Sequence, residues 1–156
     1  MAIERVRRGM QAGIVAWAAT LGVLVGFGRS RGAALQPVNS IAHPFFGTRA
    51  LLMQGFDWAI TPLALLLHLV VLVALGVIFA IFAARLRGVR LFGAALAYAL
   101  VIWLVNRLML PTVLSAGLAQ LLSSWEMAVY YLVMAVALAL GLMLGVGRAS
   151  EATVSV

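Results

Sequence analysis

The sequence contains no cysteine, which excludes disulfides, thiolate metal sites and a cysteine nucleophile. It contains no lysine either, so all 11 basic side chains are arginines, set against only 4 acids. Charged residues make up 10% of the 156, where a soluble domain carries about a quarter. So few charges cannot cover a water-exposed surface, and with 65% of the residues hydrophobic much of that surface must face lipid. Catalytic signatures are missing as well. There is no phosphate loop, no dinucleotide fingerprint and no HExxH helix. The serines at 40, 115, 123 and 124 stand in or beside loops, far along the chain from a mid-span histidine. No catalytic residue and no metal set is nominated, and the sequence leans away from an enzyme.

What is present is length in the apolar runs. Four stretches are long enough to cross a bilayer, at 9–28, 58–84, 91–110 and 127–147, with Arg107 the one charge inside them. Backbone groups in lipid must be satisfied within the segment, so runs of this length are helices rather than barrel strands. The expected fold class is all-α: a single transmembrane domain over 1–156, a four-helix bundle with short interfacial helices in two loops. The first run follows Arg5, Arg7 and Arg8 in the manner of a signal peptide. Its length marks it as a retained span.

Arginine placement orients the spans. Arg5, Arg7, Arg8, Arg85, Arg87, Arg90 and Arg148 fall on one side, and Arg29, Arg31, Arg49 and Arg107 on the other. The positive-inside rule puts the first group, with both termini, in the cytoplasm. Arginine without lysine in an Ala-, Leu-, Val- and Gly-rich chain fits a GC-rich bacterial genome, and the expected location is the bacterial inner membrane. Nucleic acid is not an expected partner, because no basic face interleaved with aromatics exists. The expected partners are the lipid bilayer and a homo-oligomer or larger membrane complex.

Helix ends carry their own signals. Ser123-Ser124-Trp125-Glu126 reads as a capping box opening the fourth span. Thr61-Pro62 reads as a cap followed by proline for the second span, with Asp57 an alternative one turn earlier. The loop segments 44–56 and 111–122 hold more apolar residues than a solvated loop needs, and short interfacial helices are expected there. Val38-Asn39, Pro44 and Trp58 recur 67 residues later as Val105-Asn106, Pro111 and Trp125, which suggests a duplicated helix–loop–helix unit. Small residues four apart (Gly9/Gly13, Gly22/Gly26 and Gly141/Gly145) are candidates for close helix packing, within the bundle or between protomers.

Polar residues inside apolar runs are costly and are functional candidates by default. These are His68, Asn106, Arg107, Glu126 and Tyr130, joined by His43 and Asn39 from the first long loop. In the structural reading, Arg107 pairs with Glu126 or Asp57, Asn106 bonds a loop carbonyl near Pro111, and His68 donates across helices. A ligand or ion site between helices is the second reading. Haem ligation by His43 and His68 is the weakest, and no cofactor is expected. The leading functional expectation is a non-enzymatic structural, accessory or assembly protein acting through helix contacts. The alternative is a small ligand-, ion- or haem-binding or transport protein.

The stretch Pro37-Val38-Asn39-Ser40-Ile41-Ala42-His43-Pro44-Phe45-Phe46-Gly47, followed by a span with His68, resembles a family of bacterial four-span membrane proteins. These carry a Pro-x-Asn-x-(Ile/Val)-x-His-x-x-x-Gly loop after helix one. An aromatic commonly follows the histidine in that family, where this chain has Pro44. The resemblance implies the fold and an inner-membrane location, and it implies no activity.

Overall fold

A computed structural model describes residues 2–83, 85–108 and 117–151, with side-chain surroundings for 3–83, 85–108 and 117–144. Every regular element among the described residues is helical. The long helices are α1 (Ala2–Ser30), α5 (Ile60–Ala83), α6 (Gly88–Leu108) and α8 (Ser124–Glu151). Each is long and apolar enough to span a membrane, so the chain is an all-α polytopic membrane protein. Between α1 and α5 lie α2 (Gln36–Asn39), a 3-10 turn (Ser40–Ala42), α3 (His43–Phe46) and α4 (Thr48–Leu52); α7 (Leu118–Leu121) precedes α8. These short pieces cover one end of the bundle, called here the capped end.

Helix order follows from which residues are small. On α1, Gly9, Ala12, Gly13, Ala16, Thr20 and Leu24 form one buried stripe at helical spacing. Its glycines admit α5: a Cβ on Gly9 would stand 2.5 Å from Val77 Cα, and one on Gly13 2.5 Å from Val73 Cα. Gly76 on α5 meets Gly9 and Gly13 in return. On the other side of α1, a Cβ on Gly141 of α8 would stand 2.6 Å from Ala12 Cα. The α1 helix is therefore clamped between α5 and α8, where small residues let dispersion contacts form between backbones. The α6 helix packs on the far side of α8 through Leu91, Ala95 and Ala99. Burial shows the same order, with 56% of the α8 span buried against 17% of the α6 span. The sequence of neighbours is α5, α1, α8, α6, and the two flanking helices touch only sparsely.

Several expectations are revised. The first span begins well before residue 9, because Glu4 pairs with Arg7 and Arg8 along one helical face and carries the helix to Ala2. Gly22 and Gly26 are exposed, with nothing within 4 Å of a Cβ built on either. They lie off the stripe that faces α5 and α8, so they do not pack against another helix of the chain. Gly145 lies in α8 outside the residues whose surroundings are described, and Pro111 lies outside the described residues altogether.

The cap of α5 is Asp57, whose Oδ1 accepts from the backbone N–H groups of Ala59 (2.8 Å) and Ile60 (3.0 Å). Thr61 sits one turn further on, buried, and serves another purpose described below. The capping box of α8 forms: the Ser123 backbone N–H donates to Glu126 Oε2 at 2.8 Å, and the Glu126 N–H to Ser123 Oγ at 3.4 Å.

Candidate functional site

The capped end is held by a polar clamp centred on Asn39. This side chain is fully buried. Its Nδ2 donates to the carbonyls of Met53 (3.0 Å) and Gly55 (2.8 Å), and its Oδ1 accepts from Thr61 Oγ1 (2.8 Å). One amide thus ties α2, the chain after α4 and the first turn of α5 together. Gln36 Nε2 adds a bond to Leu51 O at 2.8 Å, and the Gly117 N–H donates to Ser40 O at 2.9 Å, joining the two loop segments. Gly47, at φ +54 and ψ −140, makes the break between α3 and α4 in a region of backbone space open to glycine.

Two ion pairs guard the rim. Arg49 Nη2 meets Asp57 Oδ2 at 2.9 Å. Arg31 pairs with Glu126 and also donates to Leu121 O at 3.1 Å, which fastens the end of α1 to the start of α8. Arg107 is therefore not the partner of either acid, and it makes no ion pair among the described residues. The reason is direction: Arg107 faces a groove between α6 and α8 lined by Trp103, Leu122, Met127 and Tyr131. Asn106 Nδ2 donates to Tyr131 Oη at 3.1 Å across the α6–α8 contact, and the loop carbonyl expected for it near Pro111 lies outside the described residues.

Because α5 and α6 barely meet, a cleft opens between them under the capped end. Its volume is about 370 Å³. Leu67, His68, Val71 and Leu75 of α5 line one wall, Ile102, Val105 and Asn106 of α6 the other. Tyr130, Tyr131 and Met134 of α8 form the back, and Ile41, Pro44, Phe45 and Leu118 the roof. Below it, Tyr98 Oη donates to Leu75 O at 3.0 Å and the Tyr98 ring lies 5.4 Å from that of Phe79. The rim residues Val71, Val105 and Phe45 are exposed, so the opening faces the apolar surround of the bundle.

The polar equipment of this cleft is concentrated at its back. His68, 3% exposed, places Nε2 at 3.2 Å from both Thr20 Oγ1 and Tyr130 Oη. Thr20 is itself fully buried on α1. The other ring nitrogen, Nδ1, is buried with no hydrogen-bond partner. A buried polar atom without a partner is uncommon and calls for an explanation.

Of the sequence candidates, His68, Asn106 and Tyr130 therefore come together at the cleft. Glu126 and Arg107 stand outside it. Asn39 is part of the clamp, and His43 is half-buried on α3 beside Gly117, with its own Nδ1 unpartnered. Thr20, Arg31 and Tyr131 were not singled out by sequence. Thr20 was open to discovery, as the lone hydroxyl within an apolar run. No group of three or more His, Asp or Glu side chains suited to a metal ion occurs among the described residues. Fold and site together define a polytopic helical membrane protein with a lateral cleft. No family model, curated protein or solved structure matches the chain.

Proposed function

We propose that this protein binds a small lipid-soluble molecule in the cleft between α5 and α6. The observation that carries the reading is a largely apolar cavity of about 370 Å³ that opens at the side, with His68, Asn106, Tyr130 and Tyr131 as its few polar side chains. Small-molecule sites are mostly apolar concavities of about 300–1,000 Å³ with a few placed polar groups, and this one has that make-up. Its mouth faces lipid, so a ligand enters from the bilayer. By the arginine distribution, the capped end and the cleft belong to the half facing away from the cytoplasm, in a bacterial inner membrane with both termini inside.

The small-residue faces offer weaker support for an assembly role. Gly9, Gly13 and Gly141 are occupied by contacts inside the chain. One observation keeps the assembly reading alive: Ala18, Gly22 and Gly26 form an exposed small ridge on α1. A co-purifying protein lost on Gly22→Leu would favour it.

The test of the cleft is extraction of protein purified in a gentle detergent, followed by mass spectrometry of the bound apolar compounds. Val71→Trp fills the mouth from an exposed rim position and should abolish a compound that wild type retains, with the thermal unfolding midpoint little changed. Equal retention by wild type and Val71→Trp removes the cleft as the binding site.

A further inference from the structure

We propose that the groove between α6 and α8 seats one acyl chain of a phospholipid whose phosphate lies on Arg107, with a net-anionic headgroup preferred. The α6 helix turns Val105 and Asn106 to the cleft and Trp103 and Arg107 to this groove, so the two sites stand independently. Charge is the first argument. Arg107, in the last turn of α6, makes no ion pair among the described residues. The sequence has only 4 acids, and none is left for it. Glu4 pairs with Arg7 and Arg8 at the opposite end of the bundle, where Glu151 also closes α8. At the capped end, Asp57 is held by Arg49 and Glu126 by Arg31. The stretch between Leu108 and Gly117 contains no acid. A guanidinium at the edge of the hydrocarbon is costly without a partner, so its anion comes from outside the chain. Its forked donors match a phosphate. No acid is left for a headgroup ammonium either, so phosphatidylglycerol fits better than phosphatidylcholine.

Shape is the second argument. The groove encloses about 470 Å³. Arg107, Trp103, Leu100 and Leu96 follow one another down its α6 wall at helical spacing, and Ser124, Ala128 and Leu132 do so down its α8 wall. The charged and hydroxyl side chains, Arg107 and Ser124, both stand at the capped end, and the walls below are apolar or aromatic. From Arg107 to Leu96 the helix rises about 16 Å, roughly half of a ~30 Å hydrocarbon core. That is the depth of one leaflet. An acyl chain laid along Leu96 and Leu100 therefore brings its phosphate to the level of Arg107. A soluble phosphate would meet the arginine and leave the apolar length of the groove unused.

Native mass spectrometry of full-length protein tests this, after release from nanodiscs of equal phosphatidylglycerol and phosphatidylcholine with matched chains. Wild type should retain phosphatidylglycerol in preference to phosphatidylcholine, and Arg107→Gln should lower that preference about tenfold. Arg29→Gln removes the same charge from an exposed position at the end of α1, outside the groove, and should leave the preference unchanged. Ala128→Trp fills the groove from an exposed position and should remove the retained lipid, whereas Val71→Trp, which fills the cleft, should not. Equal preference in wild type and Arg107→Gln, or an equal loss in Arg29→Gln, overturns the proposal. So does displacement of the lipid by excess inorganic phosphate. A wild-type dimer that Ala128→Trp breaks also overturns it, since a second copy of the chain would then fill the groove.

Discussion

Asn39 shows how much one side chain can organise. It spends both amide protons on loop carbonyls and its oxygen on Thr61, all away from water. Asn39→Ala leaves the Thr61 hydroxyl and two carbonyls without this partner, and a buried group left unsatisfied costs about 1–3 kcal/mol. The expected result is a loss of that size in chemical unfolding monitored by tryptophan fluorescence, and an unchanged midpoint would count against the clamp. The ion pairs give a second test. A double-mutant cycle should find coupling between Arg31 and Glu126, about 1 kcal/mol or less because Arg31 is 37% exposed, and none between Arg107 and Glu126. Asn39 and Asn106, equivalent under the 67-residue offset, do unlike work, since one braces loops and the other bridges two spans through Tyr131.

At the scale of the element, the same residue type has opposite consequences on two faces of α1. Gly13→Leu drives a side chain into the α5 backbone at Leu72 and Val73, and should abolish folded, monodisperse protein in size-exclusion chromatography. Gly22→Leu points into open surround and should shift stability by no more than about 0.5 kcal/mol. Similar behaviour of the two variants would contradict the helix order. The start of α5 carries a pH dependence. The backbone N–H groups of Ile60 and Ala59, then the Arg49 guanidinium, hold the Asp57 carboxyl below its ordinary value of 3.8. A carboxylate lowered in the folded state stabilises above its unfolded pKa, and that contribution is lost as pH falls through the folded pKa. Thermal midpoints measured from pH 6 downward should therefore fall below about pH 4 more in wild type than in Asp57→Asn.

For the whole molecule, four membrane-crossing helices return the chain to the side on which it began, so both ends share one face of the bilayer. With seven arginines on that face against four on the other, reporters fused at either terminus should be active only in the cytoplasm. A periplasmic signal from either fusion would invert the orientation and turn the cleft towards the inner leaflet. The arrangement α5, α1, α8, α6 also explains why a cavity exists at all. Tight glycine-mediated contacts draw α5 and α8 onto α1, and α6 follows α8 through alanines, which leaves the two flanking helices apart.

The spans, the capping box and the polar candidates could all be read directly from the chain. Continuous apolar runs, a Ser-x-x-Glu spacing and isolated polar residues are local features, and lipid as solvent leaves a run of this length one regular structure. The tertiary structure decided who meets whom. Glu126 takes Arg31 rather than Arg107, Asn106 takes Tyr131, and His68 finds Thr20 and Tyr130 from helices far apart in sequence. Hydrophobic burial has no direction and lipid is as apolar as leucine, so composition does not choose a helix's neighbour. That choice rests on which backbones can approach each other, and it becomes visible only when Gly9, Gly13, Gly76 and Gly141 are seen in contact.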